Sequence, residues 1–483
     1  MSYLPKLYNS LATARENISF NGLSKLPEIS DGELKAAVNM DNSILPALRA
    51  RGGRYMEQEL ELQPGDCQDT VCTWHNIFSA DGIFVRTYLK MSPGILPRVD
   101  IQYTFPGDFV PEGQPLEQNE AGIDPYVSAF LSVQRMGSSL ICLPSPGRKL
   151  YSKTYALGSD GQYAFTTLST PEWENAAETY NDMCLYNGRI FLAGQNGDKA
   201  SIRIFAENSP HSFNHFQNGD DSFKLNGAYA ETLQYGPLTV CRPYNGGVVL
   251  FSEKDMLFTQ CMDAGTYKTT KIASIGCPFK NTAVICQNVL YWLSPDGVYA
   301  YTGGIPQRIS DKLPDISNAQ KACAGTDGLR YYLDVQDGGG HGVLYVYCPQ
   351  NGTWIQEDEQ SFNSFAFHDG RLYAVNDGQL LSFNDGRSTE EVPWSFEVAV
   401  SSEGKAEHKQ LLSVILYMEG KGKYPVSVSL KPQDGKIVQL GSFYIGNRAV
   451  YNLPASCSHP IQSLVIEGRG QAQIYSLDLE YEI

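Results

Sequence analysis

The stretch Val289-Leu290-Tyr291-Trp292-Leu293-Ser294-Pro295-Asp296-Gly297-Val298-Tyr299-Ala300-Tyr301 alternates apolar side chains on both sides of a Pro-Asp-Gly turn. Alternation with a period of two predicts a β-strand, and two such strands around a short glycine turn predict a β-hairpin. Similar hairpins occupy Leu185–Leu192, Pro243–Phe251, Leu329–Tyr347 and His368–Val375. The middle of the chain therefore repeats one hairpin unit.

The hairpin unit recurs at a regular length. Taking Ile190, Val248, Leu290, Tyr331 and Leu372 as anchors, the intervals are 58, 42, 41 and 41 residues. One four-stranded blade of a β-propeller takes about 40 to 50 residues. The interval predicts an all-β fold that contains a β-propeller.

Two earlier hairpins, at 83–105 and 140–168, extend the array towards the N-terminus. Six blades is the preferred count and seven is the alternative. We expect the propeller to occupy residues 60–387. Residues 1–59 are predicted to be an extended assembly segment, part of which closes the ring or reaches a neighbouring subunit.

A second region begins where the hairpin signature stops, in the polar stretch Asn384–Glu391. Longer alternating strands follow, and Gly- and Pro-containing turns join them. This pattern predicts a C-terminal β-sandwich over residues 388–483. Its strands are expected at Leu411–Met418, Val426–Leu430, Ile461–Ile466 and Gln473–Leu479.

The charge of the chain limits its partners. Its 483 residues carry a formal net charge of −16, which repels phosphate backbones and anionic membrane surfaces.

No run approaches the 18 or so apolar residues of a membrane span, so we expect no membrane insertion. The N-terminus lacks a secretory signal, which predicts synthesis in a cytosol. The 11 cysteines include no Cys-x-x-Cys pair and are interpreted as free, mostly buried thiols.

No catalytic motif is present. Walker, Gly-x-Gly-x-x-Gly, Gly-x-Ser-x-Gly and His-Glu-x-x-His sequences are all missing, so we predict no enzyme activity and no cofactor. His211 and His215 are interpreted as loop residues and Asn218–Asp221 as a turn, and no metal site is predicted. Glu357–Glu359 is interpreted as a surface acidic patch.

The N-terminal region contains a distinctive run of residues. Asn39-Met40-Asp41-Asn42-Ser43 is followed by Pro46-Ala47-Leu48 and then by Arg51 and Arg54. Asp41, Asn42, Pro46, Arg51 and Arg54 are the candidate assembly residues of the chain. The paired arginines are expected to bind acidic surfaces of a neighbouring subunit, and the alternative is an ion pair within the chain.

This run resembles the corresponding segment of bacteriophage and prophage tail nozzle and hub proteins, which include the packaged-DNA stabilisation proteins. Leu293–Tyr299 and Ile309–Leu313 are similar to the blade sequences of that family. Val392–Phe396 and Ile474–Tyr481 are similar to the two ends of its C-terminal domain. The similar segments follow one another in the same order from about residue 37 to residue 481.

The resemblance implies a structural role in the virion. It implies a six-bladed propeller and a β-sandwich, assembled as a hexameric ring below the portal and adaptor. Such a ring is assembled in the host cytoplasm, retains packaged DNA, and lets the genome leave through it without specific binding. The large insertions of the well-known nozzle members are missing here, so nozzle and hub both remain open.

The competing class is a glycan-binding or receptor-binding propeller of the tail. Exposed Trp and Tyr side chains beside Asp and Asn would supply stacking on sugar rings and hydrogen bonds. The candidates are Trp173, Trp292, Trp354 and Trp394, of which Trp292 is expected in the core.

The acidic charge generates a first prediction. Free protein should show no measurable affinity for duplex DNA at low salt, because phosphate binding depends on basic side chains that release counterions. Fluorescence anisotropy with a labelled duplex checks this. A steep, salt-dependent affinity would contradict it and indicate a surface lined by Lys and Arg.

Overall fold

The computed structural model describes most of the chain. The described residues are 13–26, 29–30, 32–57, 69–94, 98–108, 110, 117–120, 130–144, 151–157, 163–169, 179–195, 200–208, 229–262, 266–357, 359–376, 378–384, 386–400, 410–421, 423–432, 436–446, 450–457 and 461–482.

Short N-terminal strands precede the repeated region, and all of them except β3, which pairs with β4, pair with strands far away in sequence. They are β1 (Thr13–Ile18), β2 (Leu34–Val38), β3 (Met40–Asp41), β4 (Leu48–Ala50) and β5 (Tyr55–Met56).

Seven four-stranded antiparallel units follow among the described residues, and each begins with a hairpin. The first sheet comprises β6 (Val71–Ala80), β7 (Ile83–Met91), β8 (Arg98–Thr104) and β9 (Glu117–Glu120). The second comprises β10 (Phe130–Met136), β11 (Ser139–Pro144), β12 (Tyr151–Leu157) and β13 (Tyr163–Ser169). The third comprises β14 (Asp182–Tyr186), β15 (Arg189–Ala193), β16 (Ser201–Ile204) and β17 (Tyr229–Thr232).

The later sheets have the same order, and a short 3-10 helix, Lys280–Thr282, precedes the fifth. The fourth comprises β18 (Leu238–Tyr244), β19 (Gly247–Ser252), β20 (Met256–Cys261) and β21 (Tyr267–Ala273). The fifth comprises β22 (Val284–Cys286), β23 (Val289–Ser294), β24 (Gly297–Tyr301) and β25 (Gln307–Arg308). The sixth comprises β26 (Lys321–Thr326), β27 (Tyr331–Gln336), β28 (Gly342–Cys348) and β29 (Thr353–Gln356). The seventh comprises β30 (Phe362–His368), β31 (Arg371–Asn376), β32 (Gln379–Ser382) and the N-terminal strand β5.

Two-residue turns explain why these sequences form hairpins. At Asn187-Gly188 both residues have positive φ, 49° and 67°, and at Asn245-Gly246 the angles are 44° and 81°. Positive φ at both central residues is the requirement of a type I′ turn, whose twist matches that of the flanking strands. The predicted hairpins are confirmed except the one at 140–168, where β11 and β13 each pair with β12 and not with each other.

The seven sheets form a closed ring through their first strands. Ser132 Oγ donates to the Met183 carbonyl at 2.9 Å between the second and third sheets. Ser364 Oγ donates to the Ile77 carbonyl at 3.1 Å, which joins the seventh sheet to the first. The N-terminal β5 supplies the outer strand of the seventh sheet by pairing with β32, so the ring closes on itself. The ring has seven blades, which was the alternative count in the sequence analysis. The preferred count of six blades is wrong.

The C-terminal region is a sandwich of two sheets. Its strands are β33 (Pro393–Ala399), β34 (Gln410–Lys421), β35 (Pro425–Pro432), β36 (Val438–Tyr444), β37 (Val450–Cys457), β38 (Ile461–Arg469) and β39 (Gln471–Glu482). One sheet has the order β3-β4-β39-β34-β37, with β1 also paired to β39. The four C-terminal strands that the sequence pattern predicts lie within β34, β35, β38 and β39.

The second sheet of the sandwich continues into the propeller. Its order is β26-β27-β28-β29-β2-β33-β38-β35-β36, so nine strands join the sixth blade to the sandwich. The N-terminal β2 makes the connection, because Val38 pairs with Gln356 on one side and Ser395 on the other. One apolar core, containing Tyr332, Phe362, Phe396 and Leu477, spans both regions.

Two further expectations concern the cysteines and membrane-spanning segments. All nine cysteines whose state is described are free, and only Cys72 and Cys261 among them are not buried. In the described part of the chain, no helix is long and apolar enough to span a membrane.

Asp334 in β27 generates a second prediction. It is fully buried, its Oδ1 accepts a hydrogen bond from Gln336 Nε2 at 2.8 Å, and its Oδ2 has no partner among the described residues. Burial raises its pKa to about 7, although Gln336 and Lys321 oppose the rise. An unfolded aspartate titrates near pH 3.9, so between about pH 4 and 7 the unfolded chain loses a proton that the folded protein keeps. The free energy of unfolding should therefore fall as the pH rises.

Asp334→Asn should remove this dependence. One pKa unit corresponds to about 1.4 kcal/mol, so the variant should gain up to about 4 kcal/mol over the natural protein at pH 8 and little at pH 4. Urea unfolding at both pH values measures the difference. The matched control is Asp369→Asn at an exposed turn. A gain for Asp334→Asn that is equal at both pH values would contradict the assignment.

Candidate functional site

The candidate assembly residues lie at the junction between propeller and sandwich. Arg51, Arg54, Asp41 and Asn42 are all buried there, whereas Pro46 is exposed. The short strands β3, β4 and β5 position them, because this part of the chain crosses from the sandwich to the seventh blade. The structure therefore brings together residues that the sequence pattern singled out.

Arg54 forms a buried ion pair within the chain. Its Nη2 donates to Glu357 Oε2 at 2.6 Å and its Nη1 donates to Gln360 Oε1 at 2.8 Å. The guanidinium group lies over the Phe383 ring, with its central carbon 4.5 Å from the ring centroid. Only about 4% of either charged side chain is exposed.

Arg51 approaches the same carboxylate from the other side. Its Nε lies 3.6 Å from Glu357 Oε2 and donates to Asn39 Oδ1 at 2.7 Å. A buried carboxylate between two buried arginines specifies how this segment docks at the junction and presents no basic surface to a neighbour. Arg51 and Arg54 thus each form an ion pair within the chain, which was the alternative to binding a neighbouring subunit. The interpretation of Glu357 as a surface acidic residue is wrong, whereas Glu359 is exposed, and Asp358 lies outside the described residues.

Asp41 joins the N-terminal segment to the sixth blade. Its carboxylate accepts a hydrogen bond from Arg49 Nη2 at 2.6 Å and lies 3.3 Å from Arg330 Nη1. Burial would raise the pKa of Asp41, but Arg330, Arg49 and Ser43 together hold it below the ordinary value. Asn42 Nδ2 donates to the Thr353 carbonyl at 3.0 Å and so attaches the same segment to β29.

A cleft of about 1040 Å³ opens beside these residues, between propeller and sandwich. Four basic and four acidic side chains line it, so it favours neither anions nor cations. They are Arg49, Arg51, Arg330, Lys421, Asp41, Glu390, Glu391 and Glu419.

A second, smaller cavity of about 450 Å³ lies at the centre of the ring of first strands. This is the size of a small-molecule pocket. A sphere of this volume is only about 10 Å across, which is narrower than the major groove of DNA alone, about 12 Å wide. The cavity between the described first strands is therefore too small for a duplex.

The described tryptophans are all buried. Trp292, fully buried, donates from Nε1 to the Gly276 carbonyl at 3.2 Å, which confirms its expected core position. Trp354 Nε1 donates to the Ile309 carbonyl at 2.7 Å, and its ring packs 4.9 Å from that of Tyr347. Trp394 is 2% exposed. None of these three can stack on a sugar, and Trp173 lies outside the described residues.

Two motif interpretations also fall outside the described part of the chain, namely His211 with His215 and Asn218–Asp221. Among the residues that are described, no group of three His, Cys, Asp or Glu side chains is arranged to hold a metal ion.

Comparison with known proteins finds no matching family and no matching curated protein. Solved structures share the β-sheet character at low similarity. The extracellular domain of BT4673 from B. thetaiotaomicron has 11% identity and a TM-score of 0.40, covering 92% of this chain and 64% of that one. A puromycin-hydrolyzing peptidase of Mycobacterium tuberculosis has 12% identity and a TM-score of 0.39, covering 70% and 60%.

A third similar structure is the acylaminoacyl peptidase of Pyrococcus horikoshii, with 9% identity and a TM-score of 0.36, covering 70% of this chain and 59% of that one. The chain thus spans less than two thirds of the length of each of these three structures. Likeness at this level carries no argument about activity.

The buried ion pair generates a third prediction. Arg54→Met should lower the free energy of unfolding by about 3 kcal/mol, because it removes one partner of a buried carboxylate. The double change Arg51→Glu and Arg54→Glu should prevent folding altogether. Urea unfolding followed by circular dichroism measures both.

Arg387→Met is the matched control. Arg387 pairs with Glu57 at 2.6 Å, but 44% of its side chain is exposed, so the loss should stay below about 1 kcal/mol. Equal losses for the two methionine variants would mean that Arg54 is not structural. A folded double variant would restore the assembly interpretation.

Proposed function

We propose that this chain is a structural protein of a bacteriophage tail. Six copies form a nozzle or hub ring, below the portal and adaptor, that surrounds the departing genome and retains it before ejection. One observation carries the proposal: the segments that resemble the tail family are the ones that the fold uses to hold its parts together.

The N-terminal segment is the strongest case. Asp41, Asn42, Arg51 and Arg54 each contact the sixth or seventh blade or the residues beside them, while β3 and β4 belong to the sandwich. Val392–Phe396 begins the sandwich, and Ile474–Tyr481 lies in β39, which pairs with β1, β4 and β34. Residues in such positions hold the propeller and the sandwich together, which suits a structural protein.

The size of the central cavity supports a particular arrangement. Because a duplex does not fit through the blades, the conduit of the proposed ring is the space between subunits. The net charge of −16 on each copy makes weak contacts with passing phosphates the expected behaviour. The three described candidate tryptophans are buried and so do not support the glycan-binding alternative.

Exposed aliphatic side chains on the propeller offer a contact surface. Ile305, in the turn between β24 and β25, is 87% exposed, and Leu329, in the turn between β26 and β27, is 59% exposed. In a four-stranded antiparallel sheet, the first and third turns lie at the same end. Gln287, in the first turn of the fifth sheet, donates a hydrogen bond to the Leu329 carbonyl. The turns that contain Ile305 and Leu329 are therefore at the same face of the ring. Exposed apolar groups on neighbouring blades suit a contact between proteins.

The fourth prediction concerns the particle. Mass spectrometry of purified particles should detect the chain in several copies, and cryo-EM should locate it around the tail axis with the conduit between subunits. Absence of the chain from the particle would reject the proposal.

Ile305→Asp combined with Leu329→Asp should reduce incorporation at least tenfold while leaving the monomer folded. The control is Ile437→Asp, which changes a 65% exposed residue of the sandwich and should leave incorporation unchanged. Normal incorporation of the double variant would exclude this face as the contact surface.

A further inference from the structure

The central cavity of the propeller is lined by aromatic, charged and small polar side chains, the polar ones including Ser79, Ser132 and Gln134. The aromatic ones are Phe367 of the seventh sheet, Phe78 of the first and Phe130 of the second. The charged ones are Asp182 of the third sheet, Arg242 of the fourth and Lys280 just before the fifth. The phenylalanines thus come from three neighbouring sheets, and the charged residues come from the next sheets around the ring.

Two of the three charged groups neutralise each other. Asp182 Oδ2 accepts hydrogen bonds from the Arg242 guanidinium at 2.5 Å and from the Cys241 backbone N–H at 3.0 Å. Arg242 Nε also donates to the Ala283 carbonyl at 2.9 Å. The pair therefore holds the third, fourth and fifth sheets together and adds no net charge to the cavity.

Lys280 is the remaining charge. Its Nζ donates one long hydrogen bond, 3.4 Å, to the Asn181 carbonyl, and no described carboxylate lies within 4 Å of it. Burial lowers the pKa of the Lys280 ammonium, Asp182 raises it, and Arg242 lowers it further. An ammonium has three donors, so two of them remain available to a ligand in the cavity that Lys280 lines.

We propose that this cavity binds a small aromatic anion, whose carboxylate or phosphate accepts hydrogen bonds from Lys280 while its ring packs against the phenylalanine side chains. A volume of about 450 Å³ lies within the range of small-molecule sites, which are largely apolar with a few placed polar groups. A hydrogen bond between two charged groups supplies the affinity and the orientation. This inference does not depend on the proposed tail function.

Benzoate is the probe, measured by isothermal titration calorimetry on the full chain. We expect one benzoate per chain. Acetate, which lacks the ring, and benzyl alcohol, which lacks the charge, should each bind at least tenfold more weakly.

Lys280→Met should weaken benzoate binding at least tenfold, and Lys280→Arg should retain it because the positive charge remains. Lys268→Met removes an exposed lysine of β21 outside the cavity and should leave binding unchanged. Circular dichroism establishes whether each variant is folded. If Lys280→Met is not folded, folded Lys280→Arg still tests the role of the positive charge.

Three results would overturn the proposal. These are no benzoate binding to the natural protein, equal binding by folded Lys280→Met, or equal loss in Lys268→Met. Tight binding of acetate alone would contradict the role of the phenylalanine side chains.

Discussion

The pairing of β2 with both β29 and β33 is the constraint on which the rest of this structure depends. It converts a propeller blade and half of a sandwich into one nine-stranded sheet, so the two regions share a hydrogen-bonded backbone and not merely a contact surface. Interfaces between domains are ordinarily smaller and more polar, and they permit relative motion. Here a continuous sheet and a common apolar core oppose such motion.

The buried charges at the junction follow from this arrangement. Once the N-terminal segment crosses from the sandwich to the seventh blade, its arginines are excluded from water and need partners. Glu357 supplies one carboxylate for Arg51 and Arg54, and Gln360 and Asn39 satisfy further N–H groups. Buried ion pairs contribute little net stability but are costly to break, so this cluster specifies one way of docking the segment.

The accuracy of prediction from sequence differed between the repeat and the junction. Hairpins such as Leu185–Leu192 were predictable because strand alternation and an Asn-Gly turn are local properties, and positive φ at Asn187 and Gly188 shows the expected turn. The blade count was less certain, since the seventh blade takes its outer strand from Tyr55–Met56, more than 300 residues away. Glu357 was misassigned to the surface because no local pattern near it reveals the arginines that bury it.

By itself the sequence determined the all-β class, the hairpin repeat, the C-terminal strands and the acidic charge, because these depend on side-chain alternation, turn chemistry and composition. Only the tertiary structure decided that Trp354 is a blade-packing residue, that Arg54 pairs with Glu357, and that Lys280 lines the same cavity as Phe78 and Phe130. The physical reason is distance along the chain. Burial and charge pairing are set by residues that meet only when the ring closes, and no local pattern encodes which partners those will be.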